Sequence, residues 1–99
     1  MTTPTGVRHD PQRGRFELDV DGETAHVEYR QEGDTMVVLH TIVPDALAGR
    51  GIAATLNAAA LDHARDAGMK VDPQCEYTAS YLRRHPGYAD LVRGADRSS

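Results

Sequence analysis

The amino-acid sequence predicts a mixed α/β sandwich: three antiparallel strands, a helix, a strand parallel to the third, and a second, shorter helix. Three observations carry this reading. The hydrophobic period is two residues up to Pro44 and helical beyond the glycines that follow it. The segment just before Pro44 is apolar on both faces, as a central strand is. A short extended stretch follows the helix, and a strand–helix–strand unit of this kind makes its two strands parallel by a right-handed crossover.

Taken in order, Phe16, Leu18 and Val20 alternate with Arg15, Glu17 and Asp19, the pattern of a half-buried strand. Asp21-Gly22 is a hairpin dipeptide. The next strand covers Glu23 to Gln31, with Ala25, Val27 and Tyr29 on one face and His26, Glu28 and Arg30 on the other. After the turn Glu32-Gly33-Asp34 comes the third strand, Thr35 to Val43. Strict alternation puts Met36, Val38, His40 and Ile42 on one face and Val37, Leu39 and Val43 on the other, both covered. Pro44 ends it. Ile52, Leu56, Ala60 and Ala64 then recur at helical spacing, broadened by Ala53 and Ala59, with Gly68 as the C′ residue. Met69 to Cys75 reads as extended and Thr78 to His85 as a helix stopped by Pro86, with one further turn from Tyr88 to Val92.

Ninety-nine residues suffice for one core and not two. The expected domain is residues 7–93, flanked by short polar tails, 1–6 and 94–99. A net charge of −4, no Trp and a single Phe argue against a nucleic-acid partner. No apolar run approaches the ~20 residues of a membrane span. Met1 to Gly6 lacks a basic-then-apolar leader pattern, so a cytoplasmic location and a monomer are the expectations. No histidine pair has metal-ligand spacing, and no metal is expected. Cys75, the single cysteine, is either a small buried hydrophobe or a reactive thiol.

The informative stretch is the junction Val43-Pro44-Asp45-Ala46-Leu47-Ala48-Gly49-Arg50-Gly51-Ile52-Ala53, where two glycines flank an arginine at a helix start. Free amides of a first helical turn, the helix dipole and Arg50 together make an anion site suited to phosphate. A plain glycine-rich entry into a helix, with Arg50 solvated, fits the same residues, and the residues alone leave both open. Neither a Walker loop nor a dinucleotide fingerprint has this spacing.

Val43-Pro44 followed by Gly49-Arg50-Gly51-Ile52-Ala53 resembles motif A of the GNAT acetyltransferase superfamily, consensus Q/R-x-x-G-x-G/A. Phe16-Glu17-Leu18, His40-Thr41-Ile42-Val43-Pro44, Pro73-Gln74-Cys75 and Tyr81-Leu82-Arg83-Arg84-His85-Pro86-Gly87-Tyr88 resemble, in order, the very small single-domain branch of that superfamily. The resemblance covers about residues 7–93. It implies an acetyl-coenzyme A-dependent N-acetyltransferase, with the pyrophosphate on the amides of Gly49, Arg50, Gly51, Ile52, Ala53 and Ala54. The backbone of Ile42 and Val43 would lie along the pantetheine arm. Ala48 departs from the motif, standing where Gln or Arg is usual.

The resemblance also makes Cys75 a candidate nucleophile or acyl acceptor, although direct attack by the amine on the thioester is the commoner route, with Cys75 lining the site or stabilising the leaving thiolate. Its position before a helix would lower its pKa, while Glu76 would oppose that. His40 reads as a core histidine or, imidazole being the side chain suited to proton transfer near neutrality, as a general base. Tyr81 reads as a general acid for the leaving thiolate, or with Tyr88 as a cap on the core. Arg83 and Arg84 read as a solvated helix end or as a contact for the 3′-phosphate or adenine end of the coenzyme. The acceptor is an unidentified amine; so short a chain implies an open site suited to a protein lysine or N-terminus. The alternative functions are a coenzyme A-binding module with little or no turnover, and a purely structural interaction domain.

Overall fold

The alternating N-terminal half folds as an antiparallel meander in a computed structural model that describes residues 6–92. The expected tails therefore lie, apart from Gly6, outside the described residues, as does Arg93. Five strands, β1 (Arg8–Asp10), β2 (Arg15–Val20), β3 (Glu23–Glu32), β4 (Thr35–Ile42) and β5 (Lys70–Pro73), form one sheet in the order β1-β2-β3-β4-β5. The first four are antiparallel, and β5 runs parallel to β4. Helix α1 (Ile52–Asp66) connects β4 to β5, and α2 (Glu76–Arg84) follows β5. Short 3₁₀ turns occupy Asp45–Leu47 and Pro86–Leu91.

Strand β1 has no counterpart in the sequence reading, because Arg8-His9-Asp10 shows no apolar alternation. It is held by side chains instead. The His9 ring stacks on Phe16 at 4.1 Å, and its Nε2 lies 2.5 Å from the Tyr29 hydroxyl. Arg8 pairs with Glu17 at 3.0 Å and also with Asp19.

Both helices pack on one face of the sheet. Ile52, Leu56, Ala60 and Ala64 of α1 and Tyr81 and Leu82 of α2 share one cluster with Phe16, Val27, Met36, Val38 and Val71. A buried hydrogen bond from Thr78 of α2 to Asn57 of α1 ties the helices together. The opposite face of β4 carries no helix among the described residues. Val37 is buried there, but Leu39 is only half-buried and His40 and Ile42 are exposed, so the expected cover on both faces is not found.

The reason for part of that difference is a β-bulge. Glu28 of β3 opposes His40 while Tyr29 opposes Val38, which leaves Leu39 as an extra residue in β4. The extra residue inverts the alternation. Val38 faces α1, but so does Thr41, whose hydroxyl accepts a hydrogen bond from Asn57 at 3.2 Å. His40 and Ile42 thus share a face, as the sequence reading has it, but it is the face opposite Met36 and Val38.

Candidate functional site

Strand β5 leaves β4 halfway along it. Their register ends at Val38↔Pro73, after which the amides of Gln74 and Cys75 both donate to the Val38 carbonyl at 2.9 Å. The chain then turns into α2, with Cys75 as its N-cap residue. Strand β4 continues to Ile42 with no neighbour on that side among the described residues, so the two strands open into a V.

The bulge decides which peptide groups line the opening. The Tyr29 amide donates to the Gly14 carbonyl toward β2, so Glu28 and His26 turn their peptide groups toward β4. Their partners are His40 and Ile42, whose peptide groups are therefore used within the sheet. Thr41, and Val43 at the same parity, face the open edge. Ile42 and Val43 are the two backbone positions expected along a bound arm; the extra residue shifts the parity by one, so the peptide groups of Ile42 turn toward β3 and those of Thr41 toward the open edge.

The open edge runs into the glycine loop. Gly49 and Gly51 take φ of +82° and +74°, a left-handed conformation that other residues adopt only under strain. A Cβ built on either would meet no protein atom within 4 Å, so the space above them is open. Gly51 is the N-cap of α1, and the first intrahelical bond runs from Thr55 N to Gly51 O. The amides of Ile52, Ala53 and Ala54 consequently have no intrahelical acceptor. With the positive end of α1 they form a cradle for an anion. Val43, Leu47, Ala48, Gly49, Gly51, Ile52, Ala53 and Tyr77 line one groove of about 260 Å³, which joins the end of β4 to this cradle.

The Arg50 guanidinium is engaged elsewhere, 2.8 Å from the Asp21 carboxylate in the β2–β3 turn. The pair is exposed and weak, so an arriving phosphate competes with Asp21 for Arg50.

Cys75 is 8% exposed and sits beside Thr41, with Sγ 3.5 Å from the Thr41 hydroxyl. Burial pushes its thiol up, but the Thr41 hydroxyl and the amides of Thr78 and Tyr77 favour the thiolate and bring the net pKa below the ordinary value. Glu76, next to it in sequence, is exposed. The hydroxyl of Thr78 donates to Asn57 Oδ1 at 2.5 Å, and Asn57 Nδ2 donates to Thr41 Oγ1 at 3.2 Å and to Ala53 O at 2.9 Å. Asn57 and Thr78 escaped the sequence reading. The signal for Asn57 was a polar side chain next to Leu56 in the apolar stripe of α1, one turn after Ala53.

Other candidates lie apart. Tyr81 is in the core, 7% exposed, its ring stacked on His85 at 3.9 Å, and burial raises its pKa. The tyrosine that lines the groove is Tyr77, one turn earlier on the same helix. Arg83 and Arg84 stand at the far end of α2, roughly 9 Å further along its axis than Tyr77. Arg83 lines a different groove with Pro73, Leu82 and Val92, and Arg84 bonds Ser80 at 3.4 Å. The helix direction carries both away from the cradle. His40 is exposed on the helix-free face, opposite Glu28, and no described contact joins it to Cys75. No group of described residues is arranged to hold a metal ion.

A family profile described as GCN5-related N-acetyl-transferase matches residues 15–91, which include β2 to β5, the cradle and both helices. The chain belongs to that family. Among curated relatives it is similar to Protein NATD1 of Mus musculus, 40% identical over 86 residues, covering 84% of this chain and 78% of that protein. It is also similar to Protein NATD1 of Danio rerio, 32% identical over 97 residues, covering 93% and 88% of the two chains. These names state no activity. The solution structure of a GCN5-like protein of Staphylococcus aureus superposes with a TM-score of 0.71 over 93% of this chain and 90% of that one, at 24% identity. The fold is therefore that of the GCN5-related acetyltransferases, in its small form.

Proposed function

We propose that this chain is an acetyl-coenzyme A-dependent N-acetyltransferase. The observation that carries the reading is one groove that runs from Val43, just past the unpartnered end of β4, to Gly49, Gly51, Ile52 and Ala53 at the start of α1. An extended, amide-bearing arm pairs with the first part as an extra strand would, and a pyrophosphate suits the second. Space above Gly49 and Gly51 that no protein atom fills supports the fit. Acetyl-coenzyme A supplies the acetyl thioester, and this chain's residues bind, orient and move protons.

In this reading the acceptor amine approaches from the helix-free face of β4. His40, with Glu28 across the ladder, takes the proton released as the amine nitrogen bonds to the acetyl carbon and the carbon–sulfur bond breaks. The electron pair leaves on sulfur, where the phenol of Tyr77 at the groove is the donor at hand. That face offers no enclosing pocket, which suits an amine presented by a larger molecule, such as a lysine or a chain N-terminus.

A coenzyme A-binding module without turnover is the second reading. It is favoured by Ala48, which offers no side-chain donor, and by Arg50, already paired with Asp21. Mass spectrometry of lysine-bearing and free-N-terminal peptides incubated with the protein and acetyl-coenzyme A decides between them. Peptide acetylation that depends on His40 supports the enzyme. Binding without acetylation of any peptide supports the module.

A further inference from the structure

Asn57 is 1% exposed, and the hydrogen-bond partners of its amide fix its orientation. The Ala53 carbonyl can only accept, so the group facing it at 2.9 Å is the NH2. That leaves Oδ1 toward Thr78, which must donate to it. The second amide proton points at Thr41 Oγ1, 3.2 Å away. Thr41 Oγ1 thus accepts from Asn57, and its own proton has a single described neighbour left to receive it, Cys75 Sγ at 3.5 Å. The direction of every bond along Thr78, Asn57, Thr41 and Cys75 follows from one carbonyl of α1.

We propose that Asn57 is a positioning residue of the cleft: it orients the Thr41 hydroxyl so that its proton is presented to Cys75 Sγ, holding that sulfur as a hydrogen-bond acceptor at the closed end of the V. The chain of bonds links α1, β4 and α2, the elements that form the cleft, so the donor keeps its place as long as the cleft keeps its shape. A sulfur held this way favours its anionic form, which is the form that reacts with an acyl group or a metal-free oxidant. The inference deepens the acetyl-transfer reading by assigning a role to Asn57 and Thr41. It also stands without that reading, because its test needs no coenzyme.

The test is the pH titration of the thiolate ultraviolet absorbance, with Cys75→Ser as the blank that removes the tyrosine signal. Thr41→Ser keeps the hydroxyl and Thr41→Val removes it at nearly the same size. The expected result is that Thr41→Ser titrates with wild type, while Thr41→Val and Asn57→Leu titrate about one pH unit higher or more, as loss of a hydrogen bond to a charged group requires. If Asn57→Leu fails to give a cooperative melt, Asn57→Ala, which leaves room for water, replaces it. A folded Thr41→Val with the wild-type midpoint overturns the proposal. A raised Thr41→Val beside an unmoved Asn57 variant overturns it as well, because Asn57 would then not be what orients the hydroxyl. Failure of acetyl transfer with these shifts intact would count against the proposed function and not against the relay.

Discussion

Two tyrosines one helical turn apart have opposite fates. Tyr77 lines the groove beside the glycine loop, and Tyr81 is packed between His85 and Tyr88 in the core. Tyr77→Phe is therefore expected to lower the acetylation rate with little change in melting temperature, and Tyr81→Phe to leave turnover within about twofold; steady-state kinetics beside thermal melts check this. The sequence could name the helix and Tyr81, but it began the helix at Thr78 and so left out Tyr77, because the register at which α2 begins is not a local property. That register is set by Cys75 and Gln74 sharing the Val38 carbonyl, a tertiary contact. Arg50 belongs to the same scale. Asp21→Asn removes the charge that holds the guanidinium and still suits the left-handed φ of +53° at this turn position, so coenzyme affinity measured by calorimetry is expected to rise, while stability changes by no more than about 0.5 kcal/mol.

At the scale of elements, β4 is where the sequence was most and least legible. Its length, its apolar character and its end at Pro44 were plain, but one bulged residue was not. Alternation predicts His40 facing α1, and the extra residue at Leu39 turns it to the other face while bringing Thr41 to Asn57. Nothing in Val37-Val38-Leu39-His40 signals a bulge, since each is an ordinary strand residue. The chemistry follows from the displaced parity. His40→Ala is expected to reduce kcat by roughly 10²–10⁴-fold with little change in melting temperature, whereas a core histidine would chiefly lower stability.

Strand β1 shows the complementary case, an element made by side chains and not by pattern. His9 is packed against Phe16, Tyr29 and His63, and burial first, then the His63 charge, lowers its pKa below the ordinary 6.5, while Asp10 opposes this. His26 is lowered as well, by burial and by Arg15. A histidine whose folded pKa lies below its unfolded value binds fewer protons when folded, so stability falls as pH drops through about 6.5 and levels off below the folded value. Melting temperature is expected to decline between about pH 7.5 and 5.5, and less steeply in His9→Gln. An unchanged slope in that variant would mean that His9 takes no part.

The whole molecule divides its labour between faces. Helices cover one side of the sheet and carry the core, the cradle and Cys75; the other side of β4 leaves His40 and Ile42 in solvent, with Ile42 50% exposed. Fold class, the order of elements from β2 onward and the glycine-flanked start of α1 were readable from local pattern, because turn glycines and hydrophobic periods are local properties. The closed end of the cleft was not, because Asn57, Thr41, Thr78 and Cys75 meet only when β4, α1 and α2 are assembled. The acidic total charge likewise hides the local arrangement, in which the one arginine of the loop is paired with Asp21.

The proposed acetyl transfer depends on the groove being a coenzyme site, and a thermal melt in the presence of acetyl-coenzyme A tests that most directly. At a hundred times the dissociation constant the ligand should stabilise the fold by roughly 2.7 kcal/mol, a shift of about 10 °C or more for a domain of this size. Gly51→Val, which places side-chain atoms over the cradle, should abolish the shift measured from its own baseline. The same melting temperature with and without acetyl-coenzyme A, up to millimolar concentrations, would contradict the assignment.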